Sequence, residues 1–285
     1  MVTSRALRGT SSRAAQAWLV AVVAVGCGGA ADRHAAVAVP EPVAAVAGPP
    51  ALGFHPGESM QFEVTLGGIT AGEAALAVGE PGDIGGGNQG IAIRSRLATV
   101  GAAAMIKKVV DDATTVMDIE TRRPVSMTTD VEYGNNRYNA VITFTGSKVD
   151  VAWKRKHSEN AGKVHFDFKE QIAHDAHSAM AEIREWRAKL GERRTVWVVG
   201  GRRLWRADLT MGPSETLGTK LGNRATVRLD GIAYRARGDL RLDASKKARK
   251  FTVWVSDDAD RVPLRVQAGT ELGDVVIELV DYQKP

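Results

Sequence analysis

Apolar and polar residues alternate with a period of two along most of the chain after residue 50. In the first such run Met60, Phe62, Val64 and Leu66 share one face, with Gln61, Glu63 and Thr65 between them. Tyr138, Ala140, Ile142 and Phe144 repeat the pattern, as do Val149, Val151 and Trp153, then Val164, Phe166 and Phe168. Further on come Val196–Val199, Val227 and Leu229, the set Phe251, Val253 and Val255, and the set Val262, Leu264 and Val266. This alternation predicts strands with one buried and one wet face, as in antiparallel sheets. Gly67-Gly68, Gly134-Asn135-Asn136, Gly146-Ser147, Gly200-Gly201 and Asp257-Asp258 separate consecutive runs at hairpin distance. The reading is an all-β, mainly antiparallel fold of about eleven to thirteen strands; hairpins without intervening helices disfavour a parallel α/β fold.

One amphipathic helix interrupts the series. Residues 178–190 place Met180, Ile183 and Leu190 on a stripe with Trp186 beside it, Ser178 as N-cap and Gly191 just past the end. A short second helix is expected over 101–109, and Gly82–Gly90 reads as a mobile hairpin loop. A one-sided sheet this wide must hide its apolar face, so we expect a curled sheet or half-barrel with the helix on its concave side. That arrangement would leave an apolar hollow lined by Met180, Ile183, Trp186 and Leu190 with Phe62, Ile142, Phe144, Trp153 and Phe166. Met and aromatic side chains suit acyl chains; a dry, full core made of the same residues is the alternative. A closed outer-membrane barrel is disfavoured, because aromatics are few and the strands short.

The N-terminal segment adds an address to this picture. With 44% apolar and 25% charged residues the chain is an ordinary globular protein. No run of 18 apolar residues provides a spanning helix. The N-terminus carries Arg5, Arg8 and Arg13, then an apolar run from Ala17 that ends in small residues, the pattern of a signal peptide over residues 1–26. The single cysteine, Cys27, follows directly, as in the lipobox of bacterial lipoproteins, with Ala24 where a Leu is usual. One cysteine excludes disulfides and a thiolate zinc site. Residues 27–50 then read as a lipidated Cys and an Ala/Pro tether, with a single β-rich domain over 51–285. Without residues 1–26, 35 basic residues face 33 acidic ones, so the basic character of the full chain is partly a leader effect and no nucleic-acid partner is expected. Gly28 after the cysteine favours an outer-membrane lipoprotein facing the periplasm.

Candidate chemistry is sparse, and neither a cofactor nor a metal is expected. His174 and His177 form the one His-x-x-His spacing, short of a full ligand set, and read as a polar loop capping the helix. Asp257, Asp258 and Asp260 form a carboxylate cluster that reads as a turn; Ser256 lacks a nucleophile context. The nine Arg and Lys between residues 224 and 250 read as a solvated face paired with the acid-rich 251–285 stretch, or as a surface for anionic lipid or acidic polysaccharide. Function therefore reads as a lipid-anchored periplasmic binding or chaperone-like module, for an amphiphilic ligand, polysaccharide or envelope protein. The alternatives are an envelope enzyme using Asp257–Asp260 and a purely structural lipoprotein.

Three segments resemble a known family. Phe54-His-Pro56-Gly57-Glu58, with the later Gly72, is similar to the opening of the bacterial envelope family called domain of unknown function 3108. Trp254-Val-Ser256-Asp257-Asp258, followed by Arg261 and Pro263, resembles its second element, and Leu279–Tyr282 its last strand. The resemblance implies exported β-rich proteins and lipoproteins of Gram-negative envelopes, with no catalytic residues to carry over; the architecture also resembles the half-barrels of lipoprotein carriers. Trp254, Asp257 and Pro263 are expected to be structural; if Trp254 is buried, its truncation to Ala should cost about 3–5 kcal/mol.

Overall fold

The computed structural model describes residues 52–270 and 273–285, so the segments expected to be signal peptide and tether, and Cys27 between them, lie outside the described residues. The chain forms β1 (Ser59–Leu66), β2 (Ile69–Val78), β3 (Gly82–Gly85), β4 (Asn88–Thr99), helix α1 (Gly101–Ile106), β5 (Val109–Asp118), β6 (Pro124–Tyr133), β7 (Asn136–Thr145), β8 (Lys148–Arg155) and β9 (Ala161–Asp167). There follow β10 (Ala173–His174), helix α2 (Ala176–Glu185), β11 (Arg193–Gly200), β12 (Arg203–Thr219), β13 (Gly222–Ala236), β14 (Arg249–Ser256), β15 (Pro263–Thr270) and β16 (Gly273–Gln283). All sixteen strands share one sheet, in the order β10 to β16, then β1, β2 and β4 to β9, with β3 paired to β4. Every pairing is antiparallel except β10 with β11. The first and last strands therefore pair in the middle of the sheet, and its two ends are consecutive in sequence.

Sixteen strands exceed the eleven to thirteen expected from alternation, for identifiable reasons. β5 places Asp111 and Thr115 among its inward positions beside Val109, Ala113 and Met117, which masks the apolar period. β10 has two residues, and β3 carries only Ile84 as an apolar side chain. The glycine-rich 82–90 segment is a paired hairpin, with Gly82 opposite Gly90.

Helix α2 also differs from expectation. It starts earlier because Asp175, not Ser178, is the N-cap: its carboxylate accepts the Ser178 N–H, while the Ser178 hydroxyl accepts the Asp175 N–H. It stops at Glu185, where Trp186 turns extended, so Leu190 lies past the helix and is 72% exposed. Gly191 donates its N–H to the Met211 carbonyl instead of capping a helix. Helix α1 is likewise shorter than 101–109, ending at Ile106.

Three main apolar cores result. One gathers Ile183 and Trp186 with Trp205, Leu209, Met211, Leu229 and Phe251. A second joins Phe54, Met60, Ile91, Ile93, Leu264 and Leu279 to Ala181 of α2. The third brings Ile142, Val151 and Phe166 from one end of the sheet against Trp197, Val199 and Leu204 near the other. β11 is thus buried on both faces: Val196 and Val198 lie in the helix-side core, and Trp197 and Val199 in the third. Phe168 meets Trp197 edge-on at 6.2 Å between ring centroids. Gly231, opposite Phe251, leaves room for that ring, since a Cβ there would sit 2.2 Å from it.

Candidate functional site

The family-like motifs converge on helix α2. Arg184, at 1% exposure, donates from Nη1 to Glu58 Oε2 at 2.9 Å and from Nη2 to Oε1 at 2.7 Å. Its Nε and Nη2 also donate to the Asp260 carbonyl at 3.1 and 3.0 Å. The Phe54 ring stacks on the same guanidinium at 4.9 Å, and the His55 N–H donates to Glu58 at 3.1 Å. Gly53 donates its N–H to Glu185 Oε1 at 3.0 Å and needs to be glycine there: its φ is +71°, and a Cβ would lie 2.4 Å from the Ala181 carbonyl oxygen. The opening motif and the Asp257–Arg261 turn, about 200 residues apart, thus hold one helical arginine from two sides. Sequence reasoning missed Arg184; the one signal was a charged residue beside Ile183 on an otherwise apolar stripe.

A second polar cluster fixes the other end of α2. Thr115 donates its hydroxyl to Asp175 at 2.8 Å, so its oxygen accepts from His177 Nδ1 at 2.7 Å. His177 Nε2 is then left to accept the Ser95 hydroxyl at 2.8 Å. Burial holds His177 down to about 4, neutral at pH 7, and pushes the Asp175 carboxyl up against the bonds it accepts. A Ser–His–Thr–Asp series could polarise a nucleophile in an open cleft. Here all four members are buried, so in this conformation Ser95 meets no substrate and the series serves to orient the helix start. His174 does not join it: its Nδ1 is buried without a partner, and burial lowers it to about 4. Both His177 ring nitrogens are taken, by Thr115 and Ser95, which leaves neither for a metal shared with His174. Among the described residues, no group of three or more His, Cys, Asp or Glu is placed to hold a metal.

The Asp257–Asp260 carboxylates do not converge either. Asp258 accepts from the Ser256 hydroxyl at 2.7 Å and from the Asp260 and Arg261 N–H groups at 3.0 Å each, building the turn. Asp260 binds Lys284 and His55; burial opposes ionisation there, but those bonds prevail and keep its carboxyl below the usual range. Asp257 is exposed, while Pro263 is buried. Trp254 points away from the core, opposite in phase to Val253 and Val255. It is only half-buried, with its indole N–H donating to Glu215 at 2.6 Å.

The predicted hollow residues divide among different cores. Ile183 and Trp186 lie in the helix-side core, with Met180 against both that core and the second. Phe62 packs on the second, whereas Ile142, Phe144, Trp153 and Phe166 belong to the third, which contains no α2 side chain. Leu190 lines nothing. Three of the nine basic residues over 224–250 pair with nearby acids rather than with 251–285: Arg228 with Asp230, Arg237 with Asp243, and Arg241 with Asp239.

Another set of charges was not legible beforehand. Asp111 is buried against Thr129, and burial raises its carboxyl to about 8, with Asp112 and Asp130 adding to the rise. Burial also pushes the Tyr138 hydroxyl up to about 12 and Arg235 down to about 10. Arg202 stacks on Trp153 at 4.6 Å, and the side chain of Gly162 is absent where a Cβ would meet the same indole.

No curated protein matches the chain. Among solved structures, a β-barrel-like protein of domain of unknown function 1849 from Brucella abortus aligns at TM-score 0.50 and 9% identity, covering 80% of this chain and 97% of that one. A candidate exported protein with a YmcC-like fold from Bacteroides fragilis aligns at TM-score 0.36 and 7% identity over 81% and 97%. A candidate lipoprotein from Parabacteroides distasonis aligns at 0.30 and 6% over 79% and 94%. The first of these likenesses concerns the fold alone. The model of the family described as a protein of unknown function, DUF3108, matches residues 61–280, and to that family the chain belongs.

Proposed function

We propose that the protein is a lipid-anchored, periplasm-facing module of the outer membrane that binds an amphiphilic ligand, a lipid or a lipidated partner, without catalysing a reaction. In this reading the sheet curls as a half-barrel around α2, and the ligand takes the apolar surface that α2 covers. The observation that carries it is the mismatch between helix and sheet. The sheet offers Trp205, Leu209, Met211, Leu229 and Phe251 on one side and Met60, Ile91, Ile93 and Leu279 on the other. The helix buries three alanines, Ser178 and Ile183 together with the polar His177 and Arg184, and is held at both ends by polar bonds. Such bonds stabilise little against solvated alternatives, so a helix held by them is easier to displace than one held by large apolar side chains. Met180, touching both cores, and Trp186 border the surface an acyl chain would enter.

The test is thermal unfolding with and without a lysophospholipid below its micellar concentration. Saturable stabilisation of about 2.7 kcal/mol at a hundredfold excess over Kd is expected. Met180→Asp and Trp186→Asp should abolish it with the fold retained by circular dichroism. A flat titration with the native protein refutes ligand binding. The anchor is tested separately: Cys27→Ser should release the protein from the membrane fraction or leave it unprocessed, and unchanged fractionation refutes lipidation.

A further inference from the structure

Helix α1 carries no buried residue, and its last two side chains, Met105 and Ile106, are 90% and 87% exposed. Soluble surfaces seldom present two adjacent large aliphatics this openly without use. Ile69, 74% exposed in the β1–β2 hairpin, lies at the same end of the sheet, because the Val100 N–H before α1 bonds the Ala71 carbonyl beside it. Basic groups collar this tip. Lys107 sits over the Tyr133 ring at 3.7 Å, Lys108 and Arg137 both reach Glu132, and the Gly134 N–H bonds the Lys108 carbonyl at 2.7 Å. Lys108 and Arg137 thus share one carboxylate while Lys107 lies on an aromatic ring, with Asp274 on the next hairpin as a further acid.

We propose that Met105, Ile106 and Ile69 form a lipid-contact tip that docks on an anionic bilayer surface, with Lys107 and Lys108 at headgroup level. A second copy of the chain is the poorer occupant: three side chains cover a small part of the roughly 800 Å² per partner that a stable interface needs. A bilayer asks for less, since shallow apolar insertion plus basic residues suffices as the second signal beside one lipid anchor. The proposal rests on the anchor at Cys27 but not on ligand binding under α2. Reach is adequate. The tip is about 26 Å from where the chain enters β1, and residues 28–51 can span up to about 80 Å, enough to lay the tip on the anchoring leaflet.

The test uses the processed full chain, in which acylated Cys27 leaves Met105→Cys as the only free thiol for an environment-sensitive dye. On vesicles with about 30% phosphatidylglycerol, a blue shift and quenching by lipid-borne quenchers are expected. Phosphatidylcholine vesicles should give a weaker response, and a dye at Ser158→Cys none. Lys107→Gln and Lys108→Gln should each weaken the response about fivefold. Vesicle-bound protein whose dye at 105 keeps its aqueous spectrum overturns the tip while leaving the anchor intact; protein that fails to sediment with vesicles overturns both. A blue shift that grows with protein concentration in the absence of lipid assigns the tip to a second copy and also overturns the proposal.

Discussion

Replacing Arg184 by Met should destabilise the domain by about 3–5 kcal/mol, because it strands a buried carboxylate. Glu58 is fully buried, and without the guanidinium it keeps the His55 N–H as a donor at 3.1 Å. Glu58→Met is expected to cost about 2–4 kcal/mol, less because Arg184 retains the Asp260 carbonyl. The double variant removes both charges at similar volume and leaves only neutral groups short of a bond, at about 1 kcal/mol each. Its cost should fall below that of Arg184→Met alone, giving a coupling energy of at least about 2 kcal/mol. Urea unfolding followed by tryptophan fluorescence reads these values, and each single variant should lower Tm by about 4–20 °C. Additive single costs, or an Arg184→Met loss under about 1 kcal/mol, would refute the claim that this pair positions the helix.

Three further outcomes are expected. Asp111, raised to about 8 when folded from 3.8, leaves the folded state binding the extra proton, so its contribution erodes as pH climbs from about 4 to 8, by up to about 5 kcal/mol. Asp111→Asn should remove that basic-side loss in denaturation curves, while the acid-side loss between pH 6.5 and about 4, from burial of neutral His177, persists. Gly53→Ala should cost about 2 kcal/mol or more, measured by urea midpoint, since it meets both a left-handed φ and the Ala181 backbone. Trp197→Ala, in the double-layered part of the sheet, should cost about 3–5 kcal/mol, whereas half-buried Trp254→Ala should cost about 1–2 kcal/mol by the same assay.

Alternation and turn chemistry by themselves determined the antiparallel all-β class, the hairpin positions from Gly67-Gly68 to Asp257-Asp258, and the presence of a helix near residue 180. These properties are local: a strand declares its face every second residue, and a turn declares its glycine. The strands that escaped notice are those where locality fails, as in β5, whose inward Asp111 and Thr115 are tolerable only because Thr129, Asp175 and His177 arrive from elsewhere in the chain. The helix cap moved from Ser178 to Asp175 for the same reason, since the Asp175 carboxylate also accepts the Thr115 hydroxyl. That Glu58 and the Asp260 carbonyl would meet on Arg184 could not be read from any of the three segments alone. A lone glutamate or arginine looks solvated in sequence, and only tertiary burial, which removes water from both, makes each require the other.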